Sequence, residues 1–273
     1  MTLVFVGIAV FAQSLAALPE SPTPATGKAP VDQLIPWLLD EDQQLRGVTF
    51  SQLIFDTTGR KVLRFMANDA VDQRVAKAIS AACDETMKRM NAADSEIQNI
   101  DRINEVSSHF ENILRELLNA TPGLQCDFPL TAEGTVQRSG YPDLRITDLQ
   151  SRRVFYLDPK LYAAGSRDSS FRTFYFEPKK STNKVRDDAV HFVVGFEHQP
   201  SLRSAVASAS RDGALGSDQN AATEHGDYKP MWKFTRWDLV DLSRFTVKLK
   251  AEFQGSNRDM YRPEAIVASS AQR

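Results

Sequence analysis

At Thr121-Pro122-Gly123 the hydrophobic period of this 273-residue chain changes, and a fold of one secondary-structure class cannot hold both sides of that break. Upstream, Ile103, Val106, Phe110, Ile113, Leu114 and Leu117 recur at three- and four-residue intervals, which predicts a helix from Ile103 to Leu118 with one stripe against a core. Downstream, Leu124 to Leu130, Tyr141 to Thr147 and Arg153 to Tyr162 read as strands, the last two joined by the polar turn Asp148-Leu149-Gln150-Ser151. Phe171 to Phe176 and His191 to Phe196 are further strand candidates. The break therefore predicts an α/β (α+β) chain, with a helical region over 31–120 packed on a sheet domain over 121–262.

Smaller features complete this outline. Val48 to Phe55 is a short strand or the start of a helix, and Trp232 to Phe253 is expected to combine a strand with a terminal helix. Residues 201–229, rich in Ala, Ser, Asp and Gly without a period, are expected to form a mobile surface loop, and 263–273 a tail. At the other end, Leu3 to Ala12 is a short apolar run followed by the small residues of Ser14-Leu15-Ala16. It falls short of the roughly 20 residues of a transmembrane helix and reads as a signal peptide over 1–17, which implies export to a periplasmic or extracellular location. The Pro- and Thr-rich stretch over 18–30 is expected to be a linker.

With 42% hydrophobic residues the chain can fill a core, and a net charge of −2 leaves any nucleic-acid binding to a local patch. Cys83 lies in a helical pattern and Cys126 opens the strand region. Either they form one disulfide tying helix to sheet or they are two buried thiols. His109, His191, His198 and His225 show no zinc spacing, and the chain has neither a Gly-rich phosphate loop nor a nucleophile elbow.

The chemistry concentrates in Pro142-Asp143 and Asp158-Pro159-Lys160. Side chains alternate along a strand, so Asp158 and Lys160 share one face, with Phe155 and Leu157 on the other. If the two strands form a hairpin, Asp143 approaches Asp158 at the strand ends. Two such carboxylates repel unless a proton or a cation lies between them, and hard oxygen donors suit Mg²⁺, or Mn²⁺ in its place. The cation would activate a water against a phosphodiester, and Lys160 would orient or help deprotonate that water. On the helical wheel Glu111 flanks the apolar stripe and can supply a third acid, whereas Glu105 points more nearly outward.

A helix bearing Glu111, a hairpin bearing Pro142-Asp143 and an Asp158-x-Lys160 motif resemble the PD-(D/E)xK, or restriction-endonuclease-like, superfamily over roughly Ile103 to Phe196. The resemblance implies a mixed sheet flanked by helices and metal-dependent cleavage of nucleic acid, DNA as the expected substrate. It also implies metal ligation by Asp143, Asp158 and the carbonyl of Pro159. Pro159 departs from a regular strand because it lacks a backbone donor. Downstream, Arg167, Arg172 and Lys184 lead a basic group interleaved with Tyr162, Phe174 and Tyr175, which reads either as a phosphate-binding surface or as a solvated loop offset by nearby acids. The competing overall reading is an exported binding protein that keeps this fold without its chemistry.

Overall fold

The computed structural model describes residues 46–100, 102–169, 174–199, 232–248 and 256. All of these except Ser256 belong to one compact unit, Arg46–Leu249. The expected signal peptide, linker, 201–229 loop and tail lie outside the described residues.

Val48 to Phe55 holds both of the alternatives that its sequence allows. Strand β1 (Arg46–Thr49) runs into helix α1 (Phe50–Thr58), and the Thr49 side chain caps the helix by accepting from Gln52 N at 3.1 Å. After the short β2 (Val62–Leu63), Asp69 caps α2 (Ala70–Met90) by accepting from the amides of Val71 and Asp72. Asp72 in the first turn and Lys88 and Arg89 in the last complement the helix dipole. Helix α3 (Ile103–Asn119) matches its expected span and buries Val106, Phe110, Leu114 and Leu118 at four-residue spacing.

Strands β3 (Leu124–Asp127), β4 (Leu144–Asp148), β5 (Val154–Ala163), β6 (Ala189–His198) and β7 (Phe234–Asp241) follow, then β8 (Thr246–Lys248). One mixed sheet has the order β2-β6-β5-β4-β3, with β7 also paired to β6; β5 and β2 run parallel to β6, and the remaining neighbours are antiparallel. β1 and β8 form a separate antiparallel pair. This mixed sheet with flanking helices is the architecture expected from the resemblance.

Side chains of α2, α3 and one sheet face form the larger core, where Phe110 meets Phe196 and Phe234 at ring separations of 4.6 and 4.7 Å. A second apolar cluster, with Phe50, Tyr141, Tyr156 and Val185, covers the other face. Cys83 and Cys126 are both free and buried in the larger core, so the two-thiol alternative holds. Burial pushes the Cys126 thiol up to about 12.

Three segments differ from expectation. Leu242–Arg244 is a 3-10 turn leading into β8, and no terminal helix occurs among the described residues of Trp232 to Phe253. Phe171, Arg172 and Thr173 lie outside the described residues, while Phe174 and Phe176 form no strand: both rings pack on Phe50, at 5.6 and 6.3 Å. Their aromatic character serves burial of α1 and not a ladder. The expected strands at Leu124 and Tyr141 are shorter than drawn: β3 ends at Asp127, and Tyr141 to Asp143 form an irregular approach to β4.

Candidate active site

The turn between β4 and β5 fixes the register on which the acidic motif depends. Asp148 accepts from Ser151 N at 2.8 Å and Ser151 Oγ at 2.6 Å, and Arg74 of α2 binds its other oxygen at 2.6 Å. Arg153 reaches Asp69 at 2.8 Å, so the hairpin is tied to α2 at both sides of the turn. Ile146 then faces Phe155 and Leu144 faces Leu157. Continued by one residue, that register sets Asp143 beside Asp158.

Alternation along β5 selects the face. Phe155 and Leu157 enter the larger core, Val154 and Tyr156 the second cluster, and Asp158 and Lys160 follow on the second side. Pro159 lies past the last β4 pair, so β5 keeps only its parallel neighbour β6 there, with Pro159 opposite Val194. A missing donor is tolerated where one side of a strand is open.

Lys160 Nζ sits 2.5 Å from Asp158 Oδ2 and 3.4 Å from Asp143 Oδ2. Since both contacts share one nitrogen, the two carboxylate oxygens are at most about 6 Å apart, which removes the possibility that the motif is scattered in space. The short contact to Asp158 is ionic but poorly angled for a hydrogen bond, and among the described residues both buried Asp158 oxygens have no hydrogen-bond partner. Asp158 is 1% exposed; burial first and repulsion from Asp143 second hold its pKa well above the usual carboxylate range. Burial alone would lower the Lys160 pKa, but attraction to Asp158 and Asp143 outweighs it and the ammonium is stabilised.

The other predicted residues divide. Glu111 stands close enough to be influenced by Asp143 and Lys160, and its pKa is raised by burial and then by Asp143. Its carboxylate is nevertheless held by Arg138, at 2.6 and 3.2 Å. Glu105 is exposed, as the helical wheel indicated. Lys184 is not a surface charge: the residue is 1% exposed and lies toward the acids. Arg167 pairs with Asp238 at 2.8 Å, and Arg172 lies outside the described residues.

Two contributors escaped the sequence reading. Arg138 lies in an irregular loop, where no periodicity assigns it a partner, yet it closes on Glu111 and stacks over Phe128 at 4.0 Å. The Tyr141 hydroxyl meets His191 Nδ1 at 2.7 Å beneath the approach to Asp143. Burial lowers the His191 pKa to about 3, leaving it a neutral core histidine. Tyr141 immediately precedes Pro142-Asp143, and this adjacency was the one available signal for it.

The Asp158 carboxylate, buried and without hydrogen bonds among the described residues, fits, with Asp143 alongside, the hard donor set of a divalent cation that keeps several waters. Among the described residues no third acid, histidine or cysteine converges with them, in keeping with the engagement of Glu111 by Arg138.

A family model described as the type II restriction enzyme MjaV family matches residues 43–209 and 218–264. The curated type II restriction enzyme MjaV of Methanocaldococcus jannaschii is 26% identical over 235 residues, which cover 82% of this chain and 90% of that relative. No solved structure matches. These likenesses overturn the expected export and the periplasmic or extracellular location, because restriction enzymes of this type meet DNA in the cytoplasm. The apolar run Leu3 to Ala12 that suggested a signal precedes the matched residues.

Proposed function

This chain belongs to the type II restriction enzyme MjaV family, and on that premise we propose that it is a metal-dependent DNA endonuclease of the PD-(D/E)xK superfamily, hydrolysing phosphodiester bonds. The observation that carries the reading is the buried Asp158 carboxylate, without a hydrogen bond at either oxygen among the described residues, beside Asp143 and bridged to it by Lys160. Mg²⁺ or Mn²⁺ held by Asp143, Asp158 and, as the resemblance implies, the Pro159 carbonyl would supply Lewis acidity to the scissile phosphate and acidify the attacking water.

The remaining roles fall to side chains of this chain. Lys160 stays an ammonium, since both carboxylates stabilise its charge. It therefore orients the water and offsets charge on the phosphate by donating hydrogen bonds, a role that suits it better than removing a proton. Glu111 supports the site from α3 under the control of Arg138. Arg167, half-exposed beyond the end of β5, exchanges Asp238 for DNA phosphate, and Arg172 shares that assignment from its place in the sequence.

The test is cleavage of a long duplex DNA of mixed sequence, and of RNA, with and without Mg²⁺. Wild type is expected to give discrete DNA fragments only with metal, and Lys160→Ala to be slower by about 100-fold or more, the scale of a lost acid-base or charge-stabilising group. Absence of cutting by wild type, or equal cutting by Lys160→Ala, would overturn the assignment.

A further inference from the structure

Lys184 stands outside the Asp143, Asp158-x-Lys160 motif and is the least expected charge in this region. It is 1% exposed, and its single hydrogen bond among the described residues is donated to the carbonyl of Gln137, at 3.3 Å. An ammonium has three donors, so a buried one with a single neutral acceptor needs a compensating field. Three neighbours locate that field. Gln137 adjoins Arg138, which grips Glu111. Val185 shares an apolar cluster with Tyr141, two residues before Asp143, and with Tyr156, two residues before Asp158 and on the same strand face. The segment is pinned there because the Tyr156 hydroxyl accepts from the amides of Arg186 and Asp187, at 2.9 and 3.2 Å.

The charges around this point balance in a particular way. Lys160 is shared by Asp143 and Asp158, and Arg138 is committed to Glu111. Among the described residues Lys184 makes no carboxylate contact within ion-pair distance; burial lowers its pKa, and Asp143, Asp158 and Glu111 oppose that shift by favouring its charge.

We infer that Lys184 is a built-in counter-cation of the acidic site, holding Asp143 and Asp158 together in the metal-free protein and limiting how tightly a divalent cation binds between them. It is a positioning residue with no contact to the reacting phosphate, and the inference rests on the metal-binding reading proposed for this site. A lysine at this place weakens cation binding in general: the metal must compete with a charge that the fold already supplies.

The experiment titrates Mn²⁺ into the metal-free full chain by calorimetry, alongside thermal melting in chelator. Lys184→Met keeps an unbranched side chain one atom shorter and removes the charge. It should bind Mn²⁺ on the order of tenfold more tightly, because one nearby repelling charge is gone. Without metal it should melt lower than wild type, and Lys184→Arg should match wild type in both measurements. Adding Asp158→Asn to Lys184→Met should restore the metal-free melting temperature, and this arm applies even if Lys184→Met alone fails to fold.

Unchanged or weaker Mn²⁺ binding by Lys184→Met would overturn the inference, as would a tightening by Lys184→Arg of the same size or a failure of Asp158→Asn to rescue. Wild type that cleaves DNA while these results go against Lys184 leaves the nuclease assignment standing. Wild type that does not cleave while they favour it leaves Lys184 as the counter-cation of a non-nuclease metal site.

Discussion

Replacing Tyr156 by Phe removes one oxygen and tests whether the second face of the sheet is held as described. Tyr156 is fully buried, and its hydroxyl donates to Asp187 Oδ2 at 2.8 Å while accepting from the amides of Arg186 and Asp187. Burial raises its pKa, so the phenol is neutral at working pH and its three hydrogen bonds are present throughout. Tyr156→Phe leaves two inward-facing amides without an acceptor. Each orphaned buried donor costs about 1–3 kcal/mol, whereas Asp187 keeps two bonds from Arg145 and loses little. Two such donors total about 2–6 kcal/mol, which for a unit of this size corresponds to a fall in Tm of roughly 4–24 °C. Thermal melting from pH 6 to 9 should show this loss unchanged with pH. A fall below about 1 °C, with a comparable folding enthalpy, would refute the idea that one hydroxyl anchors the Lys184 segment.

Asp158 also makes a pH prediction whose sign is fixed. Its pKa is raised on folding, so between an unfolded value of about 3.9 and the folded value the native state holds a proton that the unfolded chain has released. Stability of wild type relative to Asp158→Asn should then decline as pH rises through that window and level off above it; urea titrations that give a constant difference from pH 4 to 8 would contradict the burial argument. Free, buried Cys83 and Cys126 should resist a thiol reagent in the native protein, and both should react in denaturant without reductant. No thiol appearing in denaturant would show that a disulfide exists.

Much of the candidate site was legible before the fold was known because strand alternation is a local property. The two-residue spacing of Asp158 and Lys160, and the short turn bounded by Asp148 and Ser151, already imply one shared face and a hairpin that brings Asp143 near. The helix Ile103–Asn119 was equally plain from its stripe. Where composition stood in for geometry, the reading failed. The aromatic run ending at Phe176 looked like a strand but supplies rings to the packing around Phe50, and a lysine after it looked like a surface charge but is buried. Export rested on a ten-residue apolar run, a weak signal that the family likeness overrides.

By itself, then, the sequence determined the helix from Ile103, the β4–β5 hairpin with the face of each of its strands, and the acid-acid-lysine group they carry, since these follow from periods of two and 3.6 residues. Only the tertiary structure decided which distant charges share that place. The attachment of Glu111 to Arg138, the burial of Lys184 on the carbonyl of Gln137 and the Tyr141 to His191 bond join residues 27, 47 and 50 positions apart. No local period encodes such pairings; they arise when the sheet and its coverings exclude water and leave each buried charge to find its partner within the fold.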